Sequence, residues 1–488
     1  MHTALKQHQI DGLRWLRDAW NAGRPGVLLA DDMGLGKTLQ ALAFLALLRE
    51  AMRARQIPQR PILIVAPTGL LANWRREHDL HLSGEGLGRV VHAYGAGLAA
   101  LRMPGTRTLN RVELNRAEWV LTTYETMRDN QIELGDIPFA AITFDEAQRI
   151  KTPSVRVTDA AKSMNADFVI AMTGTPVENR LADIWCIVDR VQPLFLGDLK
   201  TFSARYEAAP DEVTLRTLKA KLERKLGGAP GLMIRRLKRE QLDGLPTKSE
   251  NEVREPMPPI QAGVYGSALA AARSSSTPGA RLQALQRLRL LSLHPDPAME
   301  GADEAYIAAS ARLRACFSIL DQVQRLGEKA LVFCEFLDMQ ARMAGLVQRR
   351  FGLRHAPVLI NGAVSGELRQ RHVNEFQVSD AGFNVMILSP RAGGVGITVT
   401  AANHVVHLTR WWNPAVEDQC TDRVYRIGQV RPVTVHLPMA VLPGARTFDQ
   451  TLHELLHRKR TLAQDLLAAP AGDDKADTEA LFAGTVGE

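Results

Sequence analysis

The sequence predicts an α/β protein in which two parallel-sheet lobes follow one another, with helical insertions between them. Three observations predict it. Continuous apolar runs, each ending in polar or turn residues, alternate with helical segments, as the strands of a parallel sheet covered on both faces do. These runs form two series, separated by a helical, basic stretch between about Pro193 and Pro259 and a linker-like one after it. Only the first series opens with Gly26-Val-Leu-Leu-Ala-Asp-Asp-Met-Gly-Leu-Gly-Lys-Thr38, an apolar run that turns through glycines into a helical segment at Leu39. The expected domains are residues 1–192, a first lobe that binds nucleotide; 193–308, helical protrusions and linker; 309–465, a second lobe; and 466–488, a flexible tail.

The 488 residues are 45% hydrophobic and 23% charged, a composition that supports an ample globular core. The net charge of +7 fits either a mildly basic solvated surface or a polyanionic partner such as nucleic acid. Cys186, Cys316, Cys334 and Cys420 lie far apart without Cys-x-x-Cys spacing, which points away from zinc and disulfides and toward a reducing cytosol. No run approaches the ~18 to 20 apolar residues that cross a bilayer, and the first residues lack a secretory pattern, so the expectation is a cytoplasmic protein with no membrane partner.

In chain order, Leu5 to Leu16 fits a helix with Ile10, Leu13, Trp15 and Leu16 facing the core and Gln9 on another side. A glutamine just upstream of a phosphate turn can pair with adenine through its amide; a surface residue is the other explanation. Val27 to Ala30 reads as a buried strand. A turn that runs from a strand into a helix N-terminus aims several backbone N–H groups into one concavity, where the helix dipole favours an anion. Gly34 and Gly36 allow the close approach, Lys37 reaches β- and γ-phosphates, and the Thr38 hydroxyl ligates the bridging Mg²⁺. The strict phosphate-loop pattern has glycine six places before Lys37, where this chain has Asp31.

Further strands are expected in Pro61–Thr68, Trp119–Tyr124, Phe139–Glu146 and Phe168–Pro176. Ligands of such sheets bind at the carboxyl ends of the strands, where these runs become polar. At one such end Asp145 can face Mg²⁺ while Glu146 polarises an attacking water; a solvated acidic pair is the alternative. Arg224, Lys225, Arg235, Arg236, Lys238 and Arg239 then form a basic cluster, either a solvated helix face or a phosphate contact. Arg273 to Gly279 has the composition of a loop or linker between mobile parts. The second series comprises Ala330–Cys334, Val358–Ile360, Val385–Ser389, His404–Leu408 and Val433–Leu437. It lacks a phosphate turn but carries Gly393-Gly-Val-Gly396 and a helical stretch that places Gln419, Arg423 and Arg426 on one face. Such arginines stabilise a transferring phosphoryl group or form structural salt bridges.

Several segments together resemble helicase superfamily 2, specifically the Swi/Snf-like ATPases. They are Leu29-Ala-Asp-Asp-Met-Gly-Leu-Gly-Lys-Thr38, Asp145-Glu-Ala-Gln-Arg-Ile-Lys151, Thr173-Gly-Thr-Pro-Val-Glu-Asn179, Leu232-Met-Ile-Arg-Arg236, Ser389-Pro-Arg-Ala-Gly-Gly-Val-Gly396, Trp411-Trp-Asn-Pro-Ala-Val-Glu417 and Asp422-Arg-Val-Tyr-Arg-Ile-Gly-Gln429. The resemblance runs from about Leu5 to about Leu437. It implies two RecA-like lobes that hydrolyse ATP with Mg²⁺ in their cleft and translocate on double-stranded DNA in the bacterial cytosol or nucleoid. It further implies a protein cargo, such as RNA polymerase or another DNA-bound complex. Carried over by position, Gln9 reads adenine, and Asp32, Gly34, Gly36, Lys37, Thr38 and Leu39 form the nucleotide loop. Asp145 and Glu146 serve metal and water; Gln419, Arg423 and Arg426 complete the set. Thr68, Thr123, Thr173, Thr175 and Arg391 fall in segments that touch DNA or couple the lobes in relatives. The chain departs from the pattern at Asp32, where Glu is usual, at Gln148, where His is commoner, and at Ile397-Thr-Val399, where Leu-Asn-Leu is usual. A strand-separating helicase and a non-catalytic DNA-binding or partner-docking module are the alternatives.

Overall fold

The computed structural model describes residues 2–177, 180–207, 212–241, 245–275, 277–379, 382–390, 397–465 and 474–487. Two compact units result, Met1–Asp243 and Gly244–Leu462, the second joined by the C-terminal helix Asp474–Val486.

The first unit holds β1 (Gly26–Leu29), β2 (Ile62–Val65), β3 (Val90–Ala93), β4 (Trp119–Thr122), β5 (Ala141–Asp145), β6 (Val169–Met172) and β7 (Met233–Ile234). They form one sheet in the order β3-β4-β2-β5-β6-β1-β7, every pair parallel. Its five central strands are buried at every residue, which is why each reads as an unbroken apolar run. Leu29 at the end of β1 and Asp145 at the end of β5 flank Met172 of β6 from either side. The register therefore puts the glycine turn and the acidic pair level with each other.

The second unit holds β8 (Lys248–Pro256), β9 (Lys329–Phe333), β10 (Val358–Ile360), β11 (Asn384–Leu388), β12 (His404–His407) and β13 (Val433–Val441), all parallel in the order β10-β11-β9-β12-β13-β8. One face is covered by helices Ala311–Leu326 and Leu337–Phe351. The other packs against Gly366–Val378 and Pro414–Thr421, through Val373, Phe376 and Cys420.

Several expectations need correction. The stretch 193–308 is shared: β7 closes the first sheet and β8 the second, so it is not helical throughout. The helices on either side of the Arg273 to Gly279 stretch, Pro259–Ala272 and Pro278–Leu293, pack on each other through Leu269, Ala272, Leu285 and Leu288, and Ser276 between them lies outside the described residues. In the tail, residues 474–486 are helical, with Leu481 buried in the same cluster as those two helices and Glu479 paired with Arg281 at 2.5 Å. The first helix, Gln7–Asn21, buries His8, Gln9, Gly12, Leu16 and Ala19, so Gln9 lies on the packed face rather than away from it. Helix Pro414–Thr421 stops before Arg423 and Arg426, because the bonds from Arg423 N to Cys420 O and Val424 N to Thr421 O tighten the chain into successive turns. The two arginines thus share no helix face with Gln419.

Among the described residues no helix is long and apolar enough to cross a membrane. All four cysteines are free and buried.

A flexible tail and a docked helix respond differently to truncation of Leu481. Leu481→Ala is expected to destabilise the second unit by about 2 to 5 kcal/mol, as buried leucine truncations do. Denaturant unfolding followed by circular dichroism reads this directly, and an unchanged midpoint would contradict the docked helix.

Candidate functional site

The residues placed at the phosphate turn by sequence span the loop after β1, with Asp32, Gly34 and Gly36, and the first turn of helix Lys37–Arg53, with Lys37, Thr38 and Leu39. Gly34 and Gly36 take left-handed backbone angles, φ 86° and 78°, and a Cβ on Gly36 would meet the Gln9 Nε2 at 2.4 Å. The left-handed backbone favours glycine at position 36, and the Gln9 side chain lies close against it. Gln9 Nε2 donates to Leu35 O at 3.3 Å, and its Oε1 accepts from Lys6 N at 3.0 Å. Lys37 Nζ donates to the carbonyls of Asp31 at 2.6 Å and Asp32 at 3.2 Å, so the ammonium is held over its own loop. Burial lowers its pKa, opposed by the carboxylates of Glu146, Asp31, Asp145 and Asp32. Thr38 follows in the first turn of the helix, and the Leu39 side chain is buried beneath it. A polyanion with a divalent cation fits this set: backbone donors, one ammonium and facing carboxylates.

Asp145 and Glu146 stand at the end of β5. Trp74 Nε1 donates to Asp145 Oδ2 at 2.8 Å and Glu146 N to Asp145 Oδ1 at 3.0 Å. Burial and the Glu146 carboxylate nevertheless push the Asp145 carboxyl up to about 7. Glu146 sits at φ 53°, an uncommon left-handed angle for a side chain of that size. Its carboxylate accepts from Gln148 Nε2 at 2.7 Å, Gln148 Oε1 accepts from Thr173 Oγ1 at 2.7 Å, and Thr173 Oγ1 accepts from Thr175 N at 3.0 Å. The departure at Gln148 thus keeps a hydrogen-bonded relay from the acidic pair to the Thr173–Thr175 turn.

The remaining sequence-chosen residues divide. Thr68 opens helix Thr68–His81 and is exposed. Thr123 caps helix Tyr124–Asp129, its hydroxyl accepting from Thr126 N at 3.0 Å. In the second unit Arg423 Nη1 donates to Ile397 O at 3.4 Å and Arg426 Nη1 to Thr398 Oγ1 at 2.7 Å. The departure at Thr398 therefore supplies an acceptor to an arginine of interest. Gln419 lies in the last turns of helix Pro414–Thr421. Arg391 and Gly393 to Gly396 lie outside the described residues.

Sequence reasoning missed Trp74 and the Asp31–Arg236 pair. The Asp31 carboxylate is fully buried and accepts from Arg236 Nε at 2.9 Å, from Arg236 Nη2, and from Gln40 Nε2 at 3.3 Å. Arg236 accordingly faces inward, not to solvent or phosphate as expected of the basic cluster. Asp32, placed in the nucleotide loop, accepts from Lys238 N at 2.9 Å. The signal available was the acid standing in place of a loop glycine.

An SNF2-related domain matches residues 8–296, more than half of the chain, and a helicase conserved C-terminal domain matches residues 312–428. The chain is 38% identical to Zorya protein ZorD of Escherichia coli O139:H28, over 99% of its own length and 47% of that protein's. It is 34% identical to a putative ATP-dependent helicase/translocase, YwqA, of Bacillus subtilis, over 95% and 49%. The chain spans about half the length of these curated relatives. The solved Sulfolobus solfataricus SWI2/SNF2 ATPase core in complex with dsDNA aligns with 98% of this chain and 95% of that one, at 29% identity and a TM-score of 0.44.

The raised Asp145 carboxyl has a consequence for stability. Its protonated form is favoured by folding, so the folded chain binds more protons than the unfolded chain between pH ~3.9 and about 7, and stability falls as pH rises through that window. Asp145→Asn removes the charge, so its melting temperature relative to the parent should climb by several degrees from pH 4.5 to pH 8. Parallel melting curves across that range would refute the burial of this carboxyl.

Proposed function

The chain belongs to the SNF2-related family, and from that premise we propose that it is a DNA-dependent ATPase that travels along double-stranded DNA and displaces or remodels protein complexes bound there. The observation that supports this best is the level placement of the Lys37 loop and the Asp145–Glu146 pair on one edge of the first sheet. Two relatives that bear the name of ATP-dependent helicase, a putative helicase/translocase of Bacillus subtilis and a protein of Mycoplasma pneumoniae, support the same activity.

ATP is the substrate, and Thr38 and Asp145 are the residues that would hold Mg²⁺, which supplies charge neutralisation on the phosphates. Lys37 exchanges the Asp31 and Asp32 carbonyls for phosphate oxygens, an exchange that a flexible ammonium makes without moving the backbone. Glu146 orients the attacking water, and Gln148 and Thr173 hold that carboxylate in place. Gln9 lies against Gly36, within the loop that takes the nucleotide, and is assigned to adenine. Gln419, Arg423 and Arg426 are assigned a part in turnover, with Thr398 orienting Arg426. Thr68, Thr173 and Thr175 are assigned to DNA contact or coupling. Thr123 is assigned with them, and its cap on a short helix fixes that loop. A bacterial cytosol or nucleoid is the proposed location, with duplex DNA and a DNA-bound protein complex as partners.

Steady-state hydrolysis of ATP without DNA, with single strands and with duplex tests this. Duplex should stimulate turnover most; Lys37→Ala should abolish it, and Glu146→Gln should lower kcat by about 10² to 10⁴, the range for a lost general base. Duplex binding should weaken with salt at a log–log slope near −0.9 per phosphate contact. Turnover indifferent to DNA, or salt-insensitive and sequence-selective binding, would contradict the proposal.

A further inference from the structure

We propose that Arg236 is the residue that positions the nucleotide loop, acting through the buried carboxylate of Asp31. The inference rests on the proposed nucleotide role of the Lys37 loop and extends it to a segment some two hundred positions away in sequence.

Four stretches of chain converge on this one pair. Arg236 holds Asp31 with a fork, Nε to Oδ1 at 2.9 Å and Nη2 to Oδ2, and its own backbone N donates to Asp31 Oδ1 at 3.2 Å. Its Nη2 also donates to Gln40 Oε1 at 2.8 Å, in the helix that follows the loop, and its Nη1 to the carbonyl of His8 in the first helix. Gly12 of that first helix leaves the room: a Cβ there would lie 1.8 Å from Gln40 Oε1 and 2.9 Å from Arg236 Nη2.

The segment that carries Arg236 runs beside the loop in register. Leu28 N donates to Leu232 O at 2.9 Å, Ala30 N to Ile234 O at 2.8 Å and Asp32 N to Arg236 O at 3.0 Å. Lys238 N then donates to the Asp32 carboxylate. The two carbonyls that hold Lys37 belong to Asp31 and Asp32, the same two residues that this segment anchors. What fixes Asp31 and Asp32 therefore fixes where the ammonium starts and where the loop's N–H groups point.

Charge gives a second reason. A fully buried carboxylate one turn from a polyphosphate site repels the incoming anion unless a cation compensates it at close range. Arg236 supplies that compensation with the planar fork that matches a carboxylate; a lysine keeps the charge and loses the fork. Arg236 touches no nucleotide in this scheme. It is a positioning residue, and its loss acts on binding before chemistry.

The test uses the full chain. Equilibrium binding of a fluorescent N-methylanthraniloyl ATP with Mg²⁺ is measured without DNA, alongside kcat and KM for duplex-stimulated hydrolysis, for the parent, Arg236→Lys and Arg236→Gln. Arg236→Gln should weaken binding and raise KM by tenfold or more, with kcat at saturating ATP within threefold of the parent; Arg236→Lys should fall between. Where Arg236→Gln does not fold, the Asp31→Asn, Arg236→Gln double variant removes the uncompensated charge while still lacking the fork, and should show the raised KM. A folded variant of either kind with binding and KM within twofold of the parent would overturn the inference while leaving the ATPase proposal intact. A parent that binds no nucleotide would overturn both.

Discussion

A parallel sheet delivers the C-terminal end of every strand to the same edge, and the first unit depends on that constraint. The turn after β1, Thr68 after β2, Thr123 after β4, the acidic pair after β5 and Thr173 after β6 reach one rim because no strand of the sheet runs the other way. Register then sets the fine placement, since Leu29 and Asp145 share a neighbour in Met172. Burial of the central strands secures that register, because a slip along the sheet would draw the polar ends of these apolar runs into the core.

Charge burial is the cost of building a polyanion site on such an edge. Asp31 and Asp145 are buried and Lys37 and Glu146 half-buried beside them, and each is restrained by a specific partner. Asp31 has Arg236, Asp145 has Trp74 and the Glu146 amide, and Glu146 has Gln148. Removing any one partner leaves a buried charge or acceptor short of compensation, which is why such networks are either complete or harmful. The same logic holds in the second unit, where Glu417 is gripped by Arg410 and Arg460 and its carboxyl is held far below the usual range despite full burial.

Sequence showed most of this fold because central parallel strands are apolar on both faces. The three strands it missed, β3, β7 and β8, are all at sheet edges. An edge strand is half solvated, and β8, Lys-Ser-Glu-Asn-Glu-Val-Arg-Glu-Pro, carries so much charge that it reads as a solvated helix face although it pairs with β13 along its whole length. The nucleotide loop was legible because glycine, lysine and threonine are each demanded by local chemistry. Arg236 was not, because its partner Asp31 lies 205 positions away and an arginine in a basic cluster gives no local sign of facing inward. The turns at Arg423 and Arg426 were misread for a similar reason: helical spacing continues on paper past Thr421, while hydrogen bonding tightens there.

Movement along duplex DNA is the central claim, and displacement of a third strand from triplex DNA tests it most directly, since a motor that tracks the duplex strips the third strand without parting the other two. With ATP the chain is expected to release the labelled third strand, to fail with a non-hydrolysable analogue, and to leave a labelled fork paired. Hydrolysis without third-strand release, or separation of the fork, would contradict the account.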